Sequence, residues 1–129
     1  MNTKIGYAYV VADLLHTGHI RYLTNVRTMC DKLVVGVLTD KATMERKPKP
    51  IVPFEQRFET INALRCVDAV VAQDTYSPLN NVRAIKPNIL FESTSHTPKA
   101  LSEAKKVTSE LGMRLIIIPF HRVYYYLKG

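Results

Sequence analysis

The feature that most constrains the fold is a regular alternation of two kinds of segment along the chain. Short runs rich in Val, Ile and Leu predict strands that are apolar on both faces, at 4–12, 32–39, 68–73, 88–93 and 114–120. The segments between them have helical spacing and predict helices at 18–29, 54–65, 78–85 and 97–111. We therefore expect an α/β fold, a doubly wound Rossmann-like domain with a five-stranded parallel sheet.

The length and apolar content fit one domain of this kind. The chain has 129 residues, of which 47% are hydrophobic, so we assign residues 1–129 to a single domain with one core. No apolar stretch approaches the roughly 20 residues that cross a bilayer. The first ten residues, "MNTKIGYAYV", lack the basic and then apolar layout of a secretory signal. We expect a cytoplasmic protein with no membrane partner.

The net charge predicts an anionic partner. Lys and Arg outnumber Asp and Glu by 18 to 11, which gives a formal charge of +7. The basic residues are spread along the chain, and there is no Trp to serve as a stacking platform. A small phosphorylated ligand is therefore favoured over nucleic acid. A basic surface that only faces solvent explains the charge equally well.

The connection after the first predicted strand is the first place to look for a ligand, because doubly wound sheets bind ligands beyond the carboxyl ends of their strands. The stretch "VVADLLHTGH" runs through it from Val10 to His19. Gly18 allows close approach of the backbone, and the first turn of a helix offers N–H groups to an anion. His16 and His19 can both face one phosphate, since imidazole donates hydrogen bonds in either protonation state.

This histidine pair has two other interpretations. A zinc pattern needs further His, Cys or carboxylate ligands at suitable spacing, and none lies nearby in the sequence, so we expect no metal-ligating site. The two residues can also be ordinary polar residues at a helix start, which the local pattern favours equally. The order of strand, His-x-Gly-His turn and helix inside an α/β domain favours phosphate binding.

Four stretches together resemble the HxGH nucleotidyltransferase superfamily, and within it the small cytidylyltransferases that activate glycerol 3-phosphate, phosphocholine and phosphoethanolamine. "DLLHTGHIRYL" at 13–23 is similar to their Asp-Leu-Leu/Phe-His-x-Gly-His signature, and "LVVGVLTD" at 33–40 to their second strand, which ends in Asp. "KPKPIVPFEQR" at 47–57 resembles their lysine loop and Glu-x-Arg helix start. "LRCVDAVV" at 64–71 resembles their Arg-Tyr-Val-Asp dimer signature, with Cys66 in place of Tyr.

The resemblance implies an enzyme that transfers CMP from CTP to a small phosphate- or phosphonate-bearing alcohol and releases pyrophosphate, with Mg²⁺ as cofactor. It implies a homodimer. The implied catalytic residues are His16, His19 and Lys47, and the implied auxiliary phosphate contacts are Arg46, Lys49 and Arg122. The implied nucleotide-binding residues are Val10, Val11, Ala12, Asp13, Gly18, Arg57, Glu92, Ser93 and Thr94.

Without the resemblance, two of these residues have simpler interpretations. Lys47 is then a solvated loop lysine, and Arg57 is a residue at a helix start that pairs with Glu55 or Glu59.

The chain departs from the family pattern in three places. "VVAD" at 10–13 stands where the family has Gly-Thr-Phe-Asp, and "FESTSHTP" at 91–98 stands where it commonly has a Gly-Asp segment that seats the base. In the second stretch, Thr97 is predicted to cap the helix that begins at Pro98. "PFHRVYYYLKG" at 119–129 replaces a hydroxyl-rich segment that holds the triphosphate.

These departures leave other functions open. An ATP-dependent adenylyltransferase of the same superfamily is the first alternative, and a nucleotide-binding module with little turnover is the second. A nucleic-acid-binding protein is the weakest alternative, because it rests on charge alone.

Overall fold

The structure, a computed structural model, describes residues 3–93 and 96–118. Within these ranges it contains the five predicted strands, the four predicted helices and one additional short helix. None of these helices is long and apolar enough to span a membrane. In chain order the elements are β1 (Ile5–Val10), α1 (Thr17–Arg27), β2 (Lys32–Leu38), α2 (Asp40–Thr43), α3 (Phe54–Asn62), β3 (Ala69–Gln73), α4 (Leu79–Ile85), β4 (Ile89–Ser93), α5 (Pro98–Glu110) and β5 (Arg114–Ile118).

The strands form one parallel sheet in the order β3-β2-β1-β4-β5. Buried residues of α1 and α3, such as Leu23 and Ile61, pack on one face of this sheet. Val82 of α4 and Ala104 of α5 pack on the other face. The expected five-stranded, doubly wound α/β fold is therefore confirmed. The strand order reverses between β1 and β4, so the carboxyl ends of these two strands mark the expected ligand site.

The short helix α2 was not predicted. The Thr39 side chain caps it by accepting a hydrogen bond from the Ala42 N–H at 3.1 Å, and the Thr43 hydroxyl donates to the Thr39 carbonyl at 2.9 Å. Four residues are too few to show helical periodicity in a sequence. By contrast, the predicted cap of α5 is confirmed: Thr97 accepts from the Ala100 N–H at 3.1 Å, and Pro98 is the first helical residue.

Arg57 of α3 lies in the core, with 1% of its surface exposed. Its Nε donates to the Val52 carbonyl at 3.0 Å, and its Nη1 donates to the carbonyls of Val11 at 2.8 Å and Leu38 at 2.7 Å. Its Nη2 donates to the Asp40 carboxylate at 2.7 Å. The alternative interpretation of Arg57, pairing with an acidic residue of α3, is therefore wrong, because this guanidinium turns inward and joins the ends of β1 and β2 to the segment before α3. Contact of this buried side chain with a nucleotide stays a prediction.

We expect Arg57→Met to lower the free energy of unfolding by roughly 3–5 kcal/mol, because it leaves the carboxylate and three carbonyls without their shared donor. Urea titration followed by circular dichroism measures this loss. Arg27→Met is the matched control, since Arg27 also pairs with an aspartate, Asp68 at 2.9 Å, but about a third of its side chain is exposed. The control should cost about 1 kcal/mol or less. Equal losses in the two variants would contradict the central role of Arg57.

Candidate active site

The two histidines form the N-terminal cap of α1. The Gly18 N–H donates to Nδ1 of His16 at 3.0 Å, and the His16 N–H donates to Nδ1 of His19 at 3.2 Å. This is a capping box in which imidazoles take the places usually held by Ser or Thr and by Glu or Gln. The two rings lie together, with their centroids 4.2 Å apart. Formation of the cap at the start of α1 therefore also fixes the positions of both rings.

The capping hydrogen bonds also fix the tautomer of each neutral ring. An N–H can donate only to a ring nitrogen that carries no proton, so Nδ1 of His16 and Nδ1 of His19 are the unprotonated positions. The remaining proton of each neutral ring lies on Nε2. Burial, followed by electrostatic interaction with His16 and Lys47, holds the pKa of His19 below its usual range. The site therefore presents paired Nε2–H donors, which suit phosphate oxygens.

Gly18 is required by the position of the His16 ring. A Cβ at this residue would lie 2.7 Å from Cε1 and 3.0 Å from Nδ1 of His16, which is closer than carbon atoms normally approach. Any larger residue would displace the ring and break the cap. The sequence predicts that the Gly18 N–H contacts a phosphate. In this structure the same N–H donates to His16, so contact with a nucleotide stays a prediction.

Lys47 follows α2 on an exposed loop. The N–H groups of Arg46 and Lys47 donate to the Thr43 carbonyl at 3.1 and 2.9 Å, so the end of α2 fixes the start of this loop. The charge of Lys47 contributes to lowering the pKa of His19, and with Arg46 it adds to the effect of burial in lowering the pKa of His96. The charge of Lys47 therefore acts on His19, which follows β1 in the chain, and on His96, which follows β4.

The loop that carries Lys47 is fastened at both ends. At its far end, the Asp13 carboxylate accepts from the N–H groups of Val52 at 2.8 Å and Ile51 at 3.1 Å, and these bonds lower the pKa of Asp13. At its near end, the Arg46 guanidinium lies 5.0 Å from the centroid of the Tyr76 ring. Asp13 and Arg46, both predicted to contact the substrates, thus hold the loop in this structure. Between these attachments Lys49 is exposed.

Other predicted nucleotide-binding residues lie at the same edge of the sheet. Val10 ends β1, the Val11 carbonyl bonds to Arg57, and Ala12 has a left-handed backbone with φ of 56°. Ser93 ends β4. Contact of these residues with a nucleotide stays a prediction. Thr94 and Arg122 lie outside the described residues.

A second polar cluster, which the sequence did not reveal as a unit, joins Tyr9, Glu92 and His96. The Tyr9 hydroxyl donates to Oε1 of Glu92 at 2.6 Å, and Nε2 of His96 lies 3.5 Å from the same oxygen and 3.4 Å from the hydroxyl. Glu92 is 3% exposed, and burial raises its pKa to about 7 against the opposing effect of the Tyr9 hydrogen bond. This cluster lines a cavity next to Arg46.

The side chains of the site are better suited to hydrogen-bond an anion than to ligate a metal ion directly. In the described ranges, no group of three or more His, Cys, Asp and Glu side chains is arranged to hold a metal ion. The two imidazoles present N–H groups, while Asp13 and Asp40 are bonded to the backbone and to Arg57, respectively. Mg²⁺ commonly binds through substrate phosphates with few protein ligands, so these residues fit a metal that arrives bound to a nucleotide.

Comparisons with known proteins identify the family of this chain. The family model described as cytidylyltransferase-like matches residues 9–124. The bifunctional protein HldE of Hyphomonas neptunium is 34% identical over 118 residues, which are 90% of this chain and 24% of that protein. HldE of Escherichia coli K12 is 34% identical over 109 residues, 83% of this chain and 23% of that protein. The chain thus spans about a quarter of the length of these relatives.

Solved structures give the same result. A lipopolysaccharide core biosynthesis protein from Thermoplasma volcanium superposes with a TM-score of 0.80 at 26% identity, covering 93% of this chain and 98% of that one. A pantoate-beta-alanine ligase from Francisella tularensis shares the fold, with a TM-score of 0.67 at 14% identity over 95% of this chain and 61% of that one. The resemblance in the sequence is confirmed: this chain belongs to the cytidylyltransferase-like family of the nucleotidyltransferase superfamily.

Proposed function

We propose that this domain transfers CMP from CTP to a phosphate or phosphonate oxygen of a small alcohol. The observation that carries the proposal is the pair of Nε2–H donors at the start of α1, just after β1. The charge of Lys47 acts on one of these rings, because it contributes to lowering the pKa of His19. The proposed reaction forms no covalent bond to a side chain. Such a site fits a reaction whose main requirement is to neutralise charge on phosphates.

The proposed reaction is a direct displacement. An oxygen of the acceptor phosphate forms a bond to the α-phosphorus of the nucleotide, and the bond from that phosphorus to the bridging oxygen breaks, so pyrophosphate leaves with the electron pair. A phosphate monoester has its second pKa near 6, so the attacking oxygen is already ionised at neutral pH and needs no general base. The histidines would donate to oxygens whose negative charge grows, and Lys47 would neutralise the donor and acceptor phosphates.

Mg²⁺ would enter as part of the nucleotide complex and add charge neutralisation on the phosphate oxygens. The protein would contribute the donors on the opposite side of these phosphates. Activity should therefore require a divalent cation, while the free protein should fold without one.

The base of the nucleotide needs its own experiment. The stretch that takes the place of the family's base-seating segment is "FESTSHTP" at 91–98, so ATP is the alternative donor to CTP. Pyrophosphate release should be measured with CTP and with ATP, each with Mg²⁺ and a panel of small phosphate and phosphonate acceptors. Turnover with CTP supports the proposal, and turnover with ATP alone supports an adenylyltransferase. Calorimetric binding of a nucleotide without pyrophosphate release would indicate a binding module.

The histidines permit a test that separates catalysis from helix capping. We expect His16→Asn and His19→Gln to lower kcat on the order of a hundredfold or more, because each removes one Nε2–H donor. Their melting temperatures should stay near that of the wild type, since Asn caps a helix well and Gln can complete the capping box. His16→Ala should also lose about 1 kcal/mol of stability. Unchanged kcat in the capping-competent variants would refute the catalytic assignment.

Lys47 and Lys49 form a matched pair on one exposed loop. We expect Lys47→Ala to reduce kcat strongly and leave the melting temperature nearly unchanged, because an exposed lysine contributes little to folding. Lys49→Ala should have a smaller effect on kcat, since only Lys47 is coupled to the histidines of the site. Steady-state kinetics and thermal melts of both variants provide the measurement. A larger loss of kcat in Lys49→Ala than in Lys47→Ala would assign the catalytic role to Lys49 instead of Lys47.

We also propose that the chain forms a homodimer through 64–71, the stretch that resembles a dimer signature. Leu64, Arg65 and Cys66 line a groove with Ile20 and Thr24 of α1, and the groove encloses about 280 Å³. Ile20 is a large apolar residue that is 41% exposed, so its side chain is available for contact with a second copy.

Sedimentation velocity at micromolar concentration tests this assembly. The wild type should sediment as a dimer of 14.7 kDa chains, and Ile20→Asp should shift it toward the monomer by placing a charge in the interface. Ile51→Asp is the control, because Ile51 is an equally apolar residue that is 81% exposed on the Lys47 loop. A monomeric wild type, or equal dissociation of both variants, would contradict the proposed interface.

A further inference from the structure

We propose that Gln73, the buried residue that ends β3, is a positioning residue for the loop that carries Lys47. It acts through Tyr76, which contacts the two residues that precede Lys47 in the chain. This inference rests on the proposed nucleotidyl transfer, because it explains how the lysine assigned to that reaction is held in place.

The Gln73 side chain is fixed across three neighbouring strands. Gln73 is 1% exposed, and its Oε1 accepts a hydrogen bond from the Tyr7 hydroxyl of β1 at 2.5 Å. Strand β2 lies between β1 and β3, so this bond passes over β2. Gly36 of β2 leaves room for it, because a Cβ there would overlap the Tyr7 oxygen and lie 2.8 Å from Oε1 of Gln73. The sheet therefore sets the position of the Gln73 amide.

The bond to Tyr7 also decides which way the amide faces. Burial raises the pKa of Tyr7, so its hydroxyl keeps the proton that it donates to Oε1. The Asn81 Nδ2 donates to the same hydroxyl oxygen at 3.0 Å, which leaves Gln73 as the acceptor of that proton. The Gln73 Nε2 consequently faces the connection between β3 and α4, where it donates to the carbonyls of Thr75 and Tyr76, both at 3.1 Å.

The connection shaped by Gln73 holds the chain on both sides of the short helix α2. Before α2, the Thr39 N–H donates to the Gln73 carbonyl at 3.0 Å. After α2, the Tyr76 N–H donates to the Glu45 carboxylate at 3.1 Å, and the Arg46 guanidinium lies 5.0 Å from the centroid of the Tyr76 ring. The lysine assigned to the reaction is the next residue, so its backbone begins at a point that Tyr76 holds.

These last contacts need a fixed partner. Glu45 and Arg46 are exposed, and a single exposed contact of either kind is weak. Such a contact restricts the loop only if the group on the other side does not move. Tyr76 is held by the amide of a buried residue, so it provides a fixed point at the surface. Gln73 thus carries the rigidity of the sheet to the loop.

The first experiment measures the position of the loop without any substrate. The charges of Lys47 and Arg46 lower the pKa of His96, after the larger effect of burial. Gln73→Met keeps the approximate size of the side chain but removes the amide, so the loop and its charges can move away. A proton NMR titration of the full chain should therefore show a higher pKa for His96 in this variant than in the wild type.

The control separates loop movement from a general loss of stability. Thr108→Val removes another buried polar group, whose hydroxyl bonds within α5, and it should leave the pKa of His96 unchanged. Glu92 and the Tyr9 hydroxyl lie within 3.5 Å of Nε2 of His96, but β4 and β1 carry them, so movement of the loop leaves them in place. An equal pKa of His96 in the wild type and in Gln73→Met would overturn the inference.

A double variant tests the inference independently of folding. Gln73→Met alone leaves the Tyr7 hydroxyl without its acceptor, and its melting temperature should fall. Combining it with Tyr7→Phe removes both partners of that bond, so the double variant should recover part of the melting temperature. The pKa of His96 should stay raised in the double variant, because the amide that holds Tyr76 is still missing. A return of this pKa to the wild-type value would overturn the inference.

Turnover assays test the consequence for the reaction. Gln73→Met should lower kcat/KM on the order of tenfold or more, because even a displacement of about 1 Å in a positioned group is costly. The same substitution made in a Lys47→Ala background should have a smaller effect, since the lysine that it positions is absent. Equal losses of kcat/KM in the two backgrounds would show that Gln73 does not act through Lys47.

The two readouts separate this inference from the proposed function. A raised pKa of His96 in Gln73→Met, together with no pyrophosphate release from any nucleotide by the wild type, would refute the transfer and leave the control of the loop by Gln73 intact. Turnover by the wild type, with the same kcat/KM and the same pKa of His96 in Gln73→Met, would support the transfer and refute the positioning role.

Discussion

The buried guanidinium of Arg57 is the interaction on which the rest of the site depends. It bonds to carbonyls at the ends of β1 and β2 and to the segment before α3, and it pairs with the carboxylate that begins α2. The chain between these points includes α2 and Lys47. Each bond therefore restricts the positions open to the loop that carries Lys47, and the Asp13 carboxylate restricts its far end further. Hydrogen bonds of a buried residue, Arg57, thus restrict the position of Lys47, which is exposed.

The two histidines impose a second constraint, because one nitrogen of each ring is used in the helix cap and only the other is left for the proposed chemistry. Nδ1 of each imidazole accepts a backbone N–H and completes the cap of α1, so Nε2 must carry the proton of the neutral ring. Gly18 is needed because a Cβ at that position would collide with the His16 ring. The His-x-Gly-His pattern is therefore a structural requirement, and in the proposed reaction its donors would need no reorientation as charge develops on a phosphate.

The sequence was informative wherever the signal was local. Apolar runs and helical spacing predicted all five strands and four of five described helices, and the His-x-Gly-His turn was placed correctly at the first strand-to-helix connection. Contacts between distant segments were not predictable in this way. Arg57 was interpreted from the sequence either as a nucleotide-binding residue or as one that pairs within its own helix, but it is buried and bonds to Asp40. Tyr9 meets Glu92 only because β1 and β4 are neighbours. The four residues of α2 are too short to produce a period.

The electrostatic environment changes along the edge of the sheet where β1 and β4 end. Lys47 and Arg46 place positive charge where a phosphate is expected. Burial, followed by the charges of these two residues, lowers the pKa of His96 and favours its neutral ring. Burial also raises the pKa of Glu92 to about 7 and keeps this carboxyl partly protonated. The lining of the cavity thus passes from positive charge at Arg46 to a nearly neutral hydrogen-bonding surface at Tyr9, Glu92 and His96.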